Sequence, residues 1–437
     1  MSQFGTSRRT FLRTAFASAA LAGLSPTTAW RVWSGQEAPP IEKITVLRVP
    51  GAFHRSIAMN AQDEEAKGKT GSIRLVQAVL ADGTTGLAVE GYDSIGEDTI
   101  AGLKEKMIGT NPLRAYTWSG NQIQSLAPDF QEFLLNPKYA WFESALLDLA
   151  GRLKEKPVYA LFGTPVQEGV DAYDGTIYFK DVELGRGPEV IGDLAAQTKE
   201  DGYEALKMEV GRLNKWMDTN GGLRRDIEAV AAARNAVGSN FNIMADANNG
   251  YKDKLRMELQ FLKSAETYEL YWIEELVPEK QSTYSSLRQT MFSEGLNVRT
   301  ADGETAMWGN DASIKTAEDV EGWVRANHFD IVQPDLRTVG FSNAIRMADI
   351  ASQYNAGLVP HNWQSELGKV MSVHLAKLRE NISFVEDDRW SNFALDTSEY
   401  RFHNGRWFAP AESGWGIRVS NHYSQFAEIE GEQVITG

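Results

Sequence analysis

Two periods alternate along the chain. Apolar and polar residues take turns through Lys43-Ile44-Thr45-Val46-Leu47-Arg48-Val49 and again through residues 72–80. A period of two predicts strands. Ala81-Asp82-Gly83-Thr84-Thr85-Gly86 reads as a turn into a third strand over 87–92, which makes an antiparallel meander. The period then lengthens to that of a helix over 98–108, 122–136 and 138–153, the last with Trp141, Ala145, Leu146 and Leu149 on one face. Strands followed by helices predict an α+β domain.

From Val170 the pattern changes grain. Strand-like runs at 170–178 and 203–211 alternate with helical stretches at 187–201, 224–237, 254–267, 316–327, 343–354 and 369–379. Six polar residues each close a short apolar run in this region: Asp246, Glu274, Glu304, Asp335, His361 and Glu386. They are 28, 30, 31, 26 and 25 residues apart, about one strand plus one helix with loops. A polar group at the carboxyl end of strand after strand is how a (β/α)₈ barrel builds an active site at its top face. Beyond residue 390 the chain is loop-rich and aromatic, and this tail is expected to fold back on the first domain.

The first thirty residues belong to neither pattern. Ser7-Arg8-Arg9-Thr10-Phe11-Leu12-Arg13 precedes an uncharged run to Leu24, then Pro26 and Thr28-Ala29. Twin arginines, a short apolar stretch and a small-residue exit predict a Tat export signal over 1–30 and a periplasmic or secreted protein. The run is too short to anchor a mature chain in a bilayer. The 437 residues carry a net charge of −15, which argues against nucleic acid and anionic membrane as partners. Cysteine is absent, so thiolate chemistry is excluded.

On neighbouring barrel strands Asp246, Glu274 and Glu304 would converge, and close anions repel unless a proton or cation neutralises them. Each acid alone fits helix capping or lysine pairing; three in register point to a metal. Oxygen donors without cysteine or histidine select Mg²⁺ over zinc. Lys207 and Glu209 stand two apart on a strand and share a face. Lys207 is a candidate to hold a substrate carboxylate, or a base if its pKa is lowered; a plain Lys–Glu pair is the alternative. Asp335 and His361 close adjacent strands, where a carboxylate orients an imidazole and makes it a general base. Glu386 is either a protonated donor to developing oxyanion charge or a solvated loop acid. His54 and Arg55 lie in Gly51-Ala52-Phe53-His54-Arg55, a loop placed to cover a site and bind substrate.

Met244-Ala245-Asp246-Ala247-Asn248, Trp272-Ile273-Glu274-Glu275, Asp302-Gly303-Glu304, the stretch from Asp330 to Asp335 with Gly340, and Val359-Pro360-His361 together resemble the mandelate racemase/muconate lactonizing enzyme branch of the enolase superfamily. The resemblance covers roughly 42–420. It implies a modified TIM barrel of seven or eight βα units over 166–392, with a capping domain from 42–165 and the tail 393–437. It assigns Mg²⁺ to Asp246, Glu274 and Glu304, the base dyad to Asp335 and His361, the oxyanion-side acid to Glu386, and substrate contact to Asn248. A homo-oligomer is implied by resemblance alone.

One departure stands out. The family's second strand usually reads Lys-x-Lys with the second lysine as base; here it is Lys207-Met208-Glu209, and the glutamate is a candidate carboxylate base, an added metal ligand or a partner of Lys207. The expected reaction is Mg²⁺-dependent removal of the α-proton of a carboxylate substrate, followed by loss of a β-hydroxyl from a sugar acid. Racemisation, epimerisation, cycloisomerisation and a catalytically quiet binding protein remain alternatives.

Overall fold

The computed structural model describes residues 38–91, 95–304 and 314–437, with the side chains of 429 and 430 set aside. The Arg8-Arg9 export signal lies outside the described residues. So does Tyr92, the end of the expected third strand.

The period-two stretches form an antiparallel sheet. Ile41–Ile57 pairs with Gly68–Leu80, which pairs with Thr85–Val89. The other edge of Ile41–Ile57 takes two strands from the far end of the chain, Trp390–Asn392 and Gln433–Thr436. The helix Glu143–Leu153 lies on this sheet, almost wholly buried. Its approach explains Gly86, where an added Cβ would come 2.3 Å from the carbonyl oxygen of Ala145.

The single helix expected over 122–136 is not one element. Tyr116–Ser119 and Gln122–Leu126 form a hairpin, and a separate helix, Pro128–Leu134, follows. Gly120 takes a positive φ of 59° at the turn, which glycine adopts without strain. Pro128 opens the new helix, where its missing N–H is no loss.

Eight parallel strands make the barrel, taken in chain order: Gly169–Ile177, Ala205–Glu209, Asn242–Asp246, Trp272–Glu274, Arg299–Asp302, Ile331–Val332, Gly357–Leu358 and Val385–Asp387. The eighth pairs with the first. A hydrogen bond from Leu358 N to Asn381 O at 3.0 Å ties the seventh strand to the segment that leads into the eighth. Each strand or its edge sends one residue inward, and Tyr173, Ala205, Met244, Trp272, Ala301, Ile331, Val359 and Phe384 pack as a plug. The barrel is therefore a filled core with its chemistry confined to one end. Helices such as Thr219–Val237 and Phe341–Gln353 cover the outside.

The tail serves both halves. Arg401–His403 and Arg406–Phe408 form a hairpin that pairs with the first barrel strand. Trp415 donates from Nε1 to Ser144 O at 2.8 Å, on the helix that backs the antiparallel sheet. No helix among the described residues is long and apolar enough to cross a membrane.

Candidate active site

Parallel pairing sets the strand ends side by side. Glu209 is in register with Asp246, Asp246 with Glu274, and Asp335 with His361. These ends border a cavity of about 680 Å³, whose wall includes Lys207, Glu209, Asp246, Asn248, His361 and Glu386. Glu304 also lines it, whereas Glu274 sits beneath Lys207 and away from the opening.

Lys207 is the centre of the cluster. Its Nζ lies 2.8 Å from Glu274 Oε1, 2.8 Å from Glu386 Oε1 and 3.5 Å from Asp246 Oδ2. Burial alone would lower its pKa, but Glu274 and Glu386 hold it well above the ordinary lysine value. The lysine is thus fixed as a cation, and the base role expected of it does not suit this environment. Burial pushes Glu274 up to about 8 against the pull of Lys207. Its other oxygen accepts from Gln333 Nε2 at 2.7 Å, a contact that the sequence reading missed. Gln333 directly follows the strand Ile331–Val332 and stands two residues before Asp335, and its place at a strand end was the available signal.

Glu209 is the odd member. It is buried, its Oε2 has no hydrogen-bond partner, and burial with Asp246 nearby raises its pKa well above the carboxylate range. Such an acid prefers to keep its proton.

His361 bridges two acids. Its Nδ1 is 3.2 Å from Asp335 Oδ2 and its Nε2 is 3.0 Å from Glu304 Oε2. Burial opposes protonation of the ring, but Glu304 and Asp335 raise its pKa well above the histidine value. Asp335 is buried, yet Arg337 and His361 hold it well below the usual carboxylate range. Arg337 donates from N and from Nε to Asp335 Oδ1 at 2.8 and 3.0 Å. The histidine therefore has a fixed ring orientation, with Nδ1 on Asp335 and Nε2 toward the cavity.

Glu386 is buried, not a solvated loop acid. Oε1 faces Lys207, and Oε2 accepts from the backbone N–H of Asn362 at 2.8 Å. Both oxygens act as acceptors. Asn248 lies in the wall with φ of +41°, donates from Nδ2 to Asp246 Oδ1 at 2.6 Å, and leaves its own Oδ1 unpartnered.

His54 and Arg55 are not brought to this cavity. They belong to the long strand Ile41–Ile57, not to a covering loop. Arg55 turns instead to buried Asp174 at 3.2 Å, and its Nε donates to His54 Nε2 at 2.7 Å. A buried carboxylate is a stronger attraction than an open cleft.

Asp246, Glu274 and Glu304 form an oxygen-only donor set, chemically suited to a hard divalent cation. Among the described residues no three acids or histidines close into a finished metal cage. Lys207, 2.8 Å from Glu274, and His361, 3.0 Å from Glu304, supply countercharge to two of these acids. The unpartnered, buried Glu209 Oε2 and Asn248 Oδ1 leave the wall short of positive charge and of donors.

Comparison with known proteins gives a consistent picture. The family described as enolase C-terminal domain-like matches residues 190–423. A D-galactarolactone cycloisomerase of Agrobacterium fabrum is 29% identical over 259 residues, 59% of this chain and 62% of that protein. A D-gluconate dehydratase of Thermoproteus tenax is 25% identical over 301 residues, 68% of this chain and 57% of the relative. The chain thus spans about three fifths of the length of these curated relatives. Among solved structures, a galacturonate dehydratase from Geobacillus sp., complexed with D-galacturonate and 5-keto-4-deoxy-D-galacturonate, superposes with a TM-score of 0.75 at 26% identity, covering 91% of this chain and 99% of the other. A mandelate racemase/muconate lactonizing protein from Geobacillus sp. Y412MC10, complexed with magnesium and tartrate, gives 0.76 at 26% identity, covering 91% and 98%.

Proposed function

Because the chain belongs to the enolase superfamily, in its mandelate racemase/muconate lactonizing enzyme-like branch, we propose that it is a Mg²⁺-dependent lyase that dehydrates a sugar acid. The observation that carries this reading is the convergence on one cavity of a carboxylate cluster and a carboxylate-oriented histidine. Asp246, Glu274 and Glu304 would hold Mg²⁺, which when bound supplies the positive charge that acidifies the carbon next to a chelated carboxylate.

The other steps rest on the chain's own groups. Lys207, fixed as a cation, faces the same carboxylate and adds to the electron withdrawal. His361, once released from Glu304, keeps Asp335 on Nδ1 and offers Nε2 to the α-proton. The electron pair left on carbon expels the β-hydroxyl, and the proton taken by His361 returns to that hydroxyl as it leaves as water. The enol that remains becomes a 2-keto-3-deoxy acid. The dehydratase names of two relatives support this chemistry.

A second reading has one observation in its favour. Glu209 presents an unpartnered carboxyl in the same wall, its pKa raised by burial, and a second proton-transfer group beside a base serves an isomerase as well as a lyase. The cycloisomerase among the relatives suits it. Product analysis in D₂O separates the two. A 2-keto-3-deoxy acid supports dehydration; deuterium uptake without loss of water supports isomerisation; neither, with Mg²⁺ bound, counts against both.

We also infer export by the Tat route from Arg8-Arg9 and the uncharged run after them. Cell fractionation tests it: an Arg8→Lys, Arg9→Lys chain should stay in the cytoplasm with its leader uncut.

A further inference from the structure

The cavity has two walls of different origin. The barrel supplies the acid cluster; the antiparallel sheet supplies Arg48, Ser72, Ile73 and Glu90. Acids outnumber cations around the opening, and most of the cations are already engaged. Lys67 is 2.8 Å from Asp63, Lys207 is held by Glu274 and Glu386, and Arg337 is held by Asp335. Arg48 is different. It is exposed to the cavity, and among the described residues it has no carboxylate partner. Its guanidinium donates from Nη1 to the hydroxyl of Ser72 at 2.9 Å.

The sheet register makes this lone charge more telling. Arg48 stands directly opposite Arg74 on the neighbouring strand. Like charges facing each other across strands are unfavourable. The sheet resolves only half of the conflict: Glu90 lies 3.1 Å from Arg74, and among the described residues no acid pairs with Arg48. A like-charge pair retained beside a cavity, with one member left uncompensated, is a cost that folding does not require. An arginine fork matches a carboxylate in two parallel hydrogen bonds. The Ser72 hydroxyl beside it is a further donor for such an anion.

Resting on the sugar-acid reading above, we propose that Arg48 binds a second carboxylate at the far end of the substrate. The class of substrate is then narrower than sugar acids in general: acids that carry a carboxylate at both ends. The carboxylate next to the reacting carbon is held at the barrel's strand ends. The hydroxyl-bearing carbons cross the cavity. The distal carboxylate meets Arg48 on the sheet. A substrate ending in a neutral alcohol leaves the guanidinium without a countercharge.

The test is calorimetric titration of the full, Mg²⁺-loaded protein with two probes of equal carbon number: galactarate, with two carboxylates, and galactonate, with one. The wild type should bind galactarate roughly 10- to 100-fold more tightly. Arg48→Gln should bring galactarate down to about the affinity of galactonate. Arg48→Lys, which keeps the charge but loses the fork, should retain part of the preference, and it decides the matter should the glutamine variant not fold. A wild type that binds both acids equally, or variants that weaken both alike, overturns the Arg48 assignment and leaves the sugar-acid reading standing. A wild type that binds neither acid overturns the sugar-acid reading and this inference with it.

Discussion

Two buried charge clusters lie a few residues apart in the chain and follow opposite rules. Arg212, fully buried, sits 2.8 Å from both Asp181 and Asp226. Arg225 adds a second contact to Asp181 at 3.1 Å, and Gly211 N and Tyr251 OH donate to Asp226 at 2.8 Å each. Two arginines meet two aspartates, and the remaining acceptors are hydrogen-bonded. Around Lys207 the sum does not close. One ammonium serves Glu274, Glu386 and Asp246, while Glu209 keeps an unpartnered oxygen. The balanced cluster is scaffold, because buried charges persist when paired and solvated by the protein. The unbalanced one suits the proposed site, where a cation and a substrate would supply the deficit.

The sharpest way to break this contrast is to unbalance the scaffold. Arg212→Met leaves Asp181 and Asp226 buried without their main partner. It should cost about 3–5 kcal/mol in chemical denaturation, and a loss below about 1 kcal/mol would remove the distinction. Next is His361→Ala, which should lower turnover by roughly 10³-fold while calorimetry finds Mg²⁺ binding largely kept. Loss of the metal in that variant would contradict the roles given to the acids.

Glu143 offers an intermediate case: buried, satisfied by hydrogen bonds from Ser342, but with no cation paired to it among the described residues. Burial pushes its pKa from 4.5 to about 7. The folded chain therefore holds this proton more tightly than the unfolded one. The stability it adds is complete below pH 4.5 and is lost as pH rises to about 7, at most on the order of 3 kcal/mol. Glu143→Gln should flatten that part of the melting-temperature profile. An unchanged slope relative to wild type sinks the assignment. The smallest effect belongs to Glu209→Gln, which should change stability by less than about 1 kcal/mol, since no ion pair is lost. Activity that survives this change excludes the glutamate as a base.

Much of the barrel was legible because its signals are local. A strand end followed by an acid repeats every βα unit, and Asp246, Glu274 and Asp335 each close a run that can be read without knowing the others. What happens between those residues was not legible. The threefold contact of Lys207 joins residues up to 179 positions apart in sequence, and only barrel closure brings them together. His54 and Arg55 were misread for a related reason: a distant buried Asp174 decides where they point. The hairpin over Tyr116–Leu126 was missed because glutamines at 122 and 124 suit a helix as well as an exposed strand face, and Gly120 was not weighed as a turn.

The strand Ile41–Ile57 lies between Gly68–Leu80 on one edge and the last strand of the chain, Gln433–Thr436, on the other. During synthesis the Lys43–Val46 part of that second edge waits, bare, until Gln433–Thr436 has been made, while Trp390–Asn392 covers Gly51–Phe53. That short stretch is a template for mispairing until its partner strand arrives. A chain truncated before Gln433 should keep that stretch of edge unpaired, and light scattering should find it more prone to aggregate than the longer chain.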